Sequence, residues 1–250
     1  MSMLPVAVLA GGRATRLGTL TAQQPKSLVR VAGRPFIHWQ LNLLAQQGVT
    51  EAVLCVGYFA EQIRDAVGDG REFGVAVRYS CDGDTLRGTG GAVKHALPLL
   101  GRAFFVLYGD SYLPCSFAAV QASYEASGAA ALMTVVRNPD RWVKGNVVYR
   151  AGRIIEYNKR APRPSDMAYI DFGLGVLSAD AVETHPAGAA FDLADLYHEL
   201  SLRGELAGLQ VAGRFYEIGS AQGLAATERY LANDPRAADE LRTTIPAGSR

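Results

Sequence analysis

The run Val6-Ala7-Val8-Leu9-Ala10 has the length and β-branched content of a buried strand, and it empties directly into Gly11-Gly12. That junction constrains the fold more than any other stretch. Two residues without Cβ let backbone N–H groups approach an anion closely. Arg13 and Arg16 follow at once, and Lys26 stands behind Pro25. A strand that ends in a glycine turn with three cations in reach is a place to hold polyphosphate. For a lone glycine pair, an ordinary strand-to-helix turn with surface cations would be the better explanation. Two familiar phosphate motifs fail here. Gly11-Gly12-Arg13-Ala14-Thr15-Arg16 does not supply the G-x-G-x-x-G of dinucleotide sites, and Lys26-Ser27 lacks the glycine a P-loop requires before it.

Strand and helix signals alternate through the first half. Ala52–Val56, Val75–Tyr79 and Phe104–Tyr108 read as strands. Residues 35–47 are helical with a stop at Gly48, 61–67 form a short helix, and 91–100 a helix broken late by Pro98. Such alternation predicts a mainly parallel, doubly wound, Rossmann-like α/β sheet. The second half is richer in strands, at 132–136, 147–149, 153–157, 170–177 and 208–211, with helices at 193–203 and 222–231. It reads as a β-rich extension of the same domain, so 1–232 is taken as one domain and 233–250 as a polar tail.

Composition excludes several classes. Of 250 residues, 49% are hydrophobic and 20% charged, enough for a large single core. A net charge of +1 gives no footprint for nucleic acid. Cys55, Cys81 and Cys115 form no C-x-x-C pair and read as free thiols, and the four histidines lack metal-ligand spacing. No apolar run is long enough for a membrane span, and no basic leader precedes the first strand, which predicts a cytoplasmic chain.

Two further features belong to the same sheet edge. Gly88, Thr89, Gly90 and Gly91 lie between a strand and a helix, with Thr89 as a candidate N-cap, where bare backbone could lie against a flat base or ribose. Asp110 follows Gly109 at a strand's carboxyl end, where ligands of open parallel sheets gather. Beside a polyphosphate loop it suits Mg²⁺, which prefers one or two carboxylates plus phosphate oxygens and water.

The string LAGGxATRL followed by PK resembles the signature of the sugar-1-phosphate nucleotidyltransferases, with Ala14 where that family usually has glycine. The likeness runs to about Tyr230. It implies the nucleotide-diphospho-sugar transferase fold and an enzyme that joins an NTP to a sugar 1-phosphate, releasing pyrophosphate. By that likeness Arg16 and Lys26 are the catalytic cations, and Leu9, Ala10, Gly11, Gly12, Gly88, Thr89 and Gly90 bind the nucleotide. Asp110, in a Tyr108-Gly109-Asp110 version of L-G-D, and Glu217, where W-x-D-I-G-T usually has aspartate, hold Mg²⁺. Gly145 and Asn146 resemble the segment along the sugar. Lys159 matches the lysine of E-K-P, with Asn158 and the offset Glu156 in place of its acid, and Asp171-Phe172-Gly173 matches N-A-G. Gly57-Tyr58, Gly68-Asp69-Gly70, Gly88 to Ala92 and Ala96 to Leu100 most resemble the short heptose 1-phosphate guanylyltransferases, with the short N-acetylmuramate 1-phosphate uridylyltransferases almost as similar, which favours GTP with a heptose or hexose 1-phosphate. A UTP-, CTP- or dTTP-dependent transferase, or a non-catalytic sugar-nucleotide sensor, is the alternative. The expected partners are the two substrates alone, in a monomer or homodimer.

Overall fold

The computed structural model describes residues 2–12, 24–83, 87–138, 144–160, 167–186 and 188–233. The first parallel unit is β1 (Val6–Leu9), the two-residue ribbon β2 (Arg30–Val31) and β3 (Arg34–Pro35), helix α1 (Phe36–Gln46) and strand β4 (Glu51–Val56). Helix α2 (Ala60–Val67), β5 (Ala76–Cys81), α3 (Gly88–Leu100) and β6 (Ala103–Tyr108) complete the nucleotide-side half. Next come β7 (Ser111–Tyr112), α4 (Phe117–Ser127), β8 (Ala131–Arg137), β9 (Val147–Arg150), β10 (Arg153–Tyr157) and β11 (Tyr169–Ser178). The chain finishes with α5 (Ala179–Glu183), α6 (Leu193–Leu202), β12 (Leu206–Gln210), β13 (Tyr216–Glu217) and α7 (Ala221–Ala232).

Nine strands form one sheet in the order β5-β4-β1-β6-β11-β8-β12-β10-β9. β1 pairs in parallel with β4 and β6, β4 with β5, and β12 with β8. β11 runs against both β6 and β8, and β10 against β12 and β9. Seven of the nine strands therefore point the same way, so the sheet is mainly parallel in direction, and the two opposed strands, β11 and β10, both come from the second half of the chain.

Alternation along the strands sorts side chains to two faces. Val6, Val8, Ala52, Leu54, Phe105 and Leu107 meet Ile37, Leu41 and Leu44 of α1 and Phe117 and Val120 of α4. Ala7, Val53, Phe104 and Val106 meet Val93, Ala96 and Leu100 of α3 and Leu196 and Leu200 of α6. Each such buried Val, Leu or Phe contributes about 1.5–3 kcal/mol relative to exposure. A third cluster joins Trp39 and Leu43 of α1 to Tyr112, Ile218 and Leu231, which pins α7 and the small β7–β13 ribbon beside the sheet.

Three readings of the sequence need correcting. Pro98 does not break α3. It sits in the last turn, and the helix runs to Leu100 before Gly101 turns the chain at a positive φ. Helix α4 was not expected at all, yet Ser116 caps it by accepting from the Ala119 amide and Gly128 closes it in the left-handed region. Thr89 does not cap α3, whose N-cap residue is Arg87. Its hydroxyl instead accepts from the Leu193 amide at 2.9 Å, capping α6 from across the fold.

Candidate active site

Strands β1, β4, β5 and β6 all deliver their carboxyl ends to one cavity of about 530 Å³. Leu9, Ala10, Gly11 and Gly12 form its floor after β1, where Ala10 N bonds the Cys55 carbonyl at 2.9 Å. A Cβ on Gly11 would stand 3.1 Å from the Gly57 amide nitrogen, so this loop needs glycine for close backbone packing. A Cβ on Gly12 would meet no atom of the described residues within 4 Å. Lys26 and Asp110 line the same cavity, and Lys26 Nζ lies 2.7 Å from Asp110 Oδ2.

Asp110 is fixed from several sides. Gln40, buried on α1, donates to the carbonyls of Tyr108 (2.9 Å) and Ser111 (2.8 Å), clamping the turn between them. Ser111 Oγ lies 3.2 Å from Asp110 Oδ1. The ribbon β7–β13 sets Glu217 opposite Ser111, and the Ile218 amide donates to the Asp110 carbonyl at 3.0 Å. Two carboxylates more than a hundred positions apart in the chain thus become neighbours. The point where a Cβ of Gly219 would sit is 2.7 Å from Glu217 Oε2, 2.7 Å from Lys26 Nζ and 3.5 Å from Asp110 Oδ2. The Glu217 carboxylate is held at the start of α7, where it accepts from the Gly219 amide, the Ser220 amide (3.1 Å) and the Ser220 hydroxyl (2.6 Å).

Among the described residues no group of three or more His, Cys, Asp or Glu side chains converges to hold an ion. The donor set at Asp110 and Glu217 is two hard carboxylates, which fits Mg²⁺ when substrate phosphates and water complete the shell.

The second glycine loop lines the cavity with Gly88 and Thr89. Its glycines also answer to Phe191. A Cβ on Gly88, at φ +69°, would be 2.5 Å from the Phe191 carbonyl oxygen, and one on Gly90 would run into the Phe191 ring. The Gly90 amide bonds that carbonyl at 2.9 Å.

Of the residues matched to sugar contacts, Lys159 and Asp171 lie near Tyr108, which also lines the cavity. Lys159 Nζ lies 5.7 Å from the Tyr108 ring centroid. Asp171 is half-buried. Desolvation raises its carboxyl above the ordinary range, and the Lys159 charge and the Gly173 amide act to lower it. Asn146 Oδ1 accepts from the Asp171 amide at 3.0 Å, and Asn158 N donates to the Asn146 carbonyl at 2.9 Å. Asn158 Nδ2 reaches Glu156 Oε1 at 3.4 Å, so these two side chains do share a face. A Cβ on Gly145 would overlap the Met167 carbonyl oxygen, so packing requires glycine there.

Arg16 and the tail from 234 onward lie outside the described residues. Sequence reasoning missed Asp82, Arg87 and Asp192, all of which line the cavity. Asp192 gave no signal because its partner Thr89 is 103 positions away. Arg160 reaches Asp195 at 3.0 Å and Asp192 at 3.6 Å, tying the end of β10 to α6. Cys55 also faces the cavity, and burial together with Asp82 pushes its thiol up to about 12, which leaves it an unreactive thiol.

No helix among the described residues is long and apolar enough to cross a membrane. The nucleotidyl transferase family model matches residues 6–152. The chain is 33% identical over 211 residues to an N-acetylmuramate alpha-1-phosphate uridylyltransferase of Neisseria meningitidis, covering 83% of this chain and 87% of that one. It is 35% identical over 106 residues to a D-glycero-alpha-D-manno-heptose 1-phosphate guanylyltransferase of Campylobacter jejuni, covering 42% of this chain and 47% of that one. The fold superposes on the UTP-bound UGPase of Acinetobacter baumannii with a TM-score of 0.77 at 18% identity, over 99% of this chain and 100% of the other. With an Ala-Gly-Gly loop and Asp110 at the carboxyl edge of the sheet, and Lys26 and Glu217 brought beside that aspartate, the chain belongs to the nucleotidyl transferase family, among the sugar-1-phosphate nucleotidyltransferases.

Proposed function

We propose that the chain transfers a nucleotidyl group from GTP to a heptose or hexose 1-phosphate, giving a GDP-sugar and pyrophosphate. The observation that carries the reading is the meeting of Lys26, Asp110 and Glu217 around one point beside the Gly11–Gly12 cavity. A phosphate oxygen of the sugar 1-phosphate attacks the α-phosphorus. The bond from that phosphorus to the bridging oxygen breaks, and pyrophosphate leaves with the electron pair. No protein nucleophile is required, so catalysis consists of positioning and charge neutralisation.

The amides after β1 and Arg16 would hold the departing phosphates. Lys26 would neutralise charge around the α-phosphate. Asp110 and Glu217 would hold Mg²⁺, which when bound supplies charge stabilisation to both substrates. Lys159, beside Tyr108, would meet the incoming sugar phosphate. A UTP-dependent reaction is the second reading, favoured by the uridylyltransferase relative that aligns with 83% of this chain. A pure binder is disfavoured because the sequence keeps Arg16, Lys26, Asp110 and Glu217 together. A matrix of NTPs against sugar 1-phosphates, read by pyrophosphate release, tests the assignment. Release with GTP and a heptose or hexose 1-phosphate supports it, and release with UTP alone replaces it by the second reading.

Lys159→Ala separates the two halves of the site. Truncation removes a charge-assisted contact worth roughly 1.5–3 kcal/mol, so kcat/KM for the sugar substrate should fall about tenfold to a hundredfold. Calorimetry should find NTP affinity unchanged. A mutant that lost NTP affinity and kept its sugar KM would move Lys159 to the nucleotide half.

A further inference from the structure

The cavity has two chemically different ends. At one end stand Lys26 and Asp110, beside β6. At the other stand Asp82, just past β5, and Arg87, just before α3. The sheet order β5-β4-β1-β6 puts three strand steps between them, or ~14 Å. A triphosphate bound at Gly11–Gly12 with its phosphates toward Lys26 directs its base toward the β5 end.

Among the described residues, the Asp82 Oδ1 and Arg87 Nε atoms are buried without a hydrogen-bond partner. They face each other at 3.6 Å, an ion pair just longer than a hydrogen bond. Buried polar groups in folded proteins are nearly always hydrogen-bonded, and an unmet carboxylate oxygen costs more than a neutral one. Desolvation does raise the Asp82 carboxyl, against the opposing charges of Arg87 and His95. A loose buried pair that lines a cavity is poised to exchange its contact for those of a ligand carrying both donors and acceptors.

We propose that Asp82 and Arg87 read the nucleobase and select guanine, an inference that rests on the nucleotide reading above. Guanine offers N1–H and its 2-amino group side by side, two donors that match the two oxygens of a carboxylate. Its O6 and N7 are acceptors for a guanidinium. Uracil offers one N–H flanked by two carbonyl oxygens, which a carboxylate repels. The pair therefore discriminates by attraction toward one base and repulsion toward the other.

Calorimetric titration of the full-length protein with GTP, inosine triphosphate and UTP, each with Mg²⁺, tests this. Inosine triphosphate differs from GTP at the base by lacking the 2-amino group. The wild type should bind GTP about tenfold or more tighter than either competitor, the loss expected for a hydrogen bond to a charged acceptor. Asp82→Ala should bring GTP down to the level of inosine triphosphate, and the near-isosteric Asp82→Asn should narrow the gap. Equal wild-type affinity for GTP and inosine triphosphate, or tighter UTP, overturns guanine selection while leaving the nucleotide reading intact. So does an Asp82→Ala loss that is the same for all three, which would mark a ribose or packing contact. Binding of none of the three would instead remove the proposed function, and the role of this pair with it. Because the wild-type comparison needs no variant, poor folding of a mutant leaves the test standing.

Discussion

Asp110→Asn should lower turnover by about a hundredfold or more, the scale of losing an electrostatic group that acts on the transition state. The aspartate stands at the carboxyl end of β6, and its carboxylate shares a small space with Glu217 and Lys26. A neutral amide is a poor ligand for a hard divalent cation and no counter-charge for Lys26. Folding should survive. The Lys26–Asp110 side chains are 19% and 36% exposed, and such a solvent-screened pair contributes only about 0–1 kcal/mol. The backbone of the turn stays anchored by Gln40 and by the Ile218 amide. The checks are steady-state pyrophosphate release, a Mg²⁺ titration of the rate and thermal unfolding. Turnover within about twofold of wild type would remove Asp110 from the reacting centre.

Gly223→Ala should reverse the usual effect of that substitution. Replacing glycine by alanine inside a helix ordinarily stabilises by about 1 kcal/mol. Gly223 lies in the first turn of α7, and there a Cβ would overlap Glu217 Oε1 and come within 2.7 Å of the Glu217 carbonyl oxygen. Either the carboxylate swings away from Ser220 and Gly219, or the start of α7 moves. Overpacking of this kind costs typically about 1–3 kcal/mol. The variant should therefore unfold at a lower temperature, and turnover should fall about tenfold or more because Glu217 leaves its place beside Asp110. A variant more stable than wild type with full activity would show that the position of Glu217 is immaterial, and with it the idea that Glu217 helps hold a metal.

Much of this was legible in the chain, for identifiable reasons. β1, β6 and all of β4 after Glu51 are continuous apolar runs, and their carboxyl ends carry the glycines and Asp110, so the sheet edge could be read from the order of residues along the chain. Helix α4 escaped because its FAAVQASYEAS sequence has little contrast between faces, although Ser116 and Gly128 bracket it with proper caps. The two-residue strands β7 and β13 have no pattern to detect. Tertiary packing of Tyr112 and Ile218 against α1 makes them a ribbon, and only that ribbon brings Glu217 to Asp110. The family resemblance named Glu217, but no local signal gave its neighbour. The glycines of the second loop were read as room for a base. At Gly90 the residue that needs the room is Phe191, from a loop about a hundred positions later. Asp82 and Arg87 carry no local signal, since a buried, imperfect ion pair is a property of three-dimensional placement.

In the proposed reaction the nucleotidyl group passes directly between two bound substrates, without a covalent enzyme intermediate. Exchange of radiolabelled pyrophosphate into the nucleoside triphosphate tests it most directly. With Mg²⁺ and the triphosphate alone, the protein should catalyse no exchange, because nothing on the enzyme accepts the nucleotidyl group. Addition of the sugar 1-phosphate that supports pyrophosphate release should switch exchange on, as the NDP-sugar formed is cleaved by labelled pyrophosphate in the reverse reaction. Exchange in the absence of any sugar 1-phosphate would contradict the account by requiring a protein nucleophile, and absence of exchange with every hexose and heptose 1-phosphate, despite tight nucleotide binding, would make the protein a binder and not an enzyme.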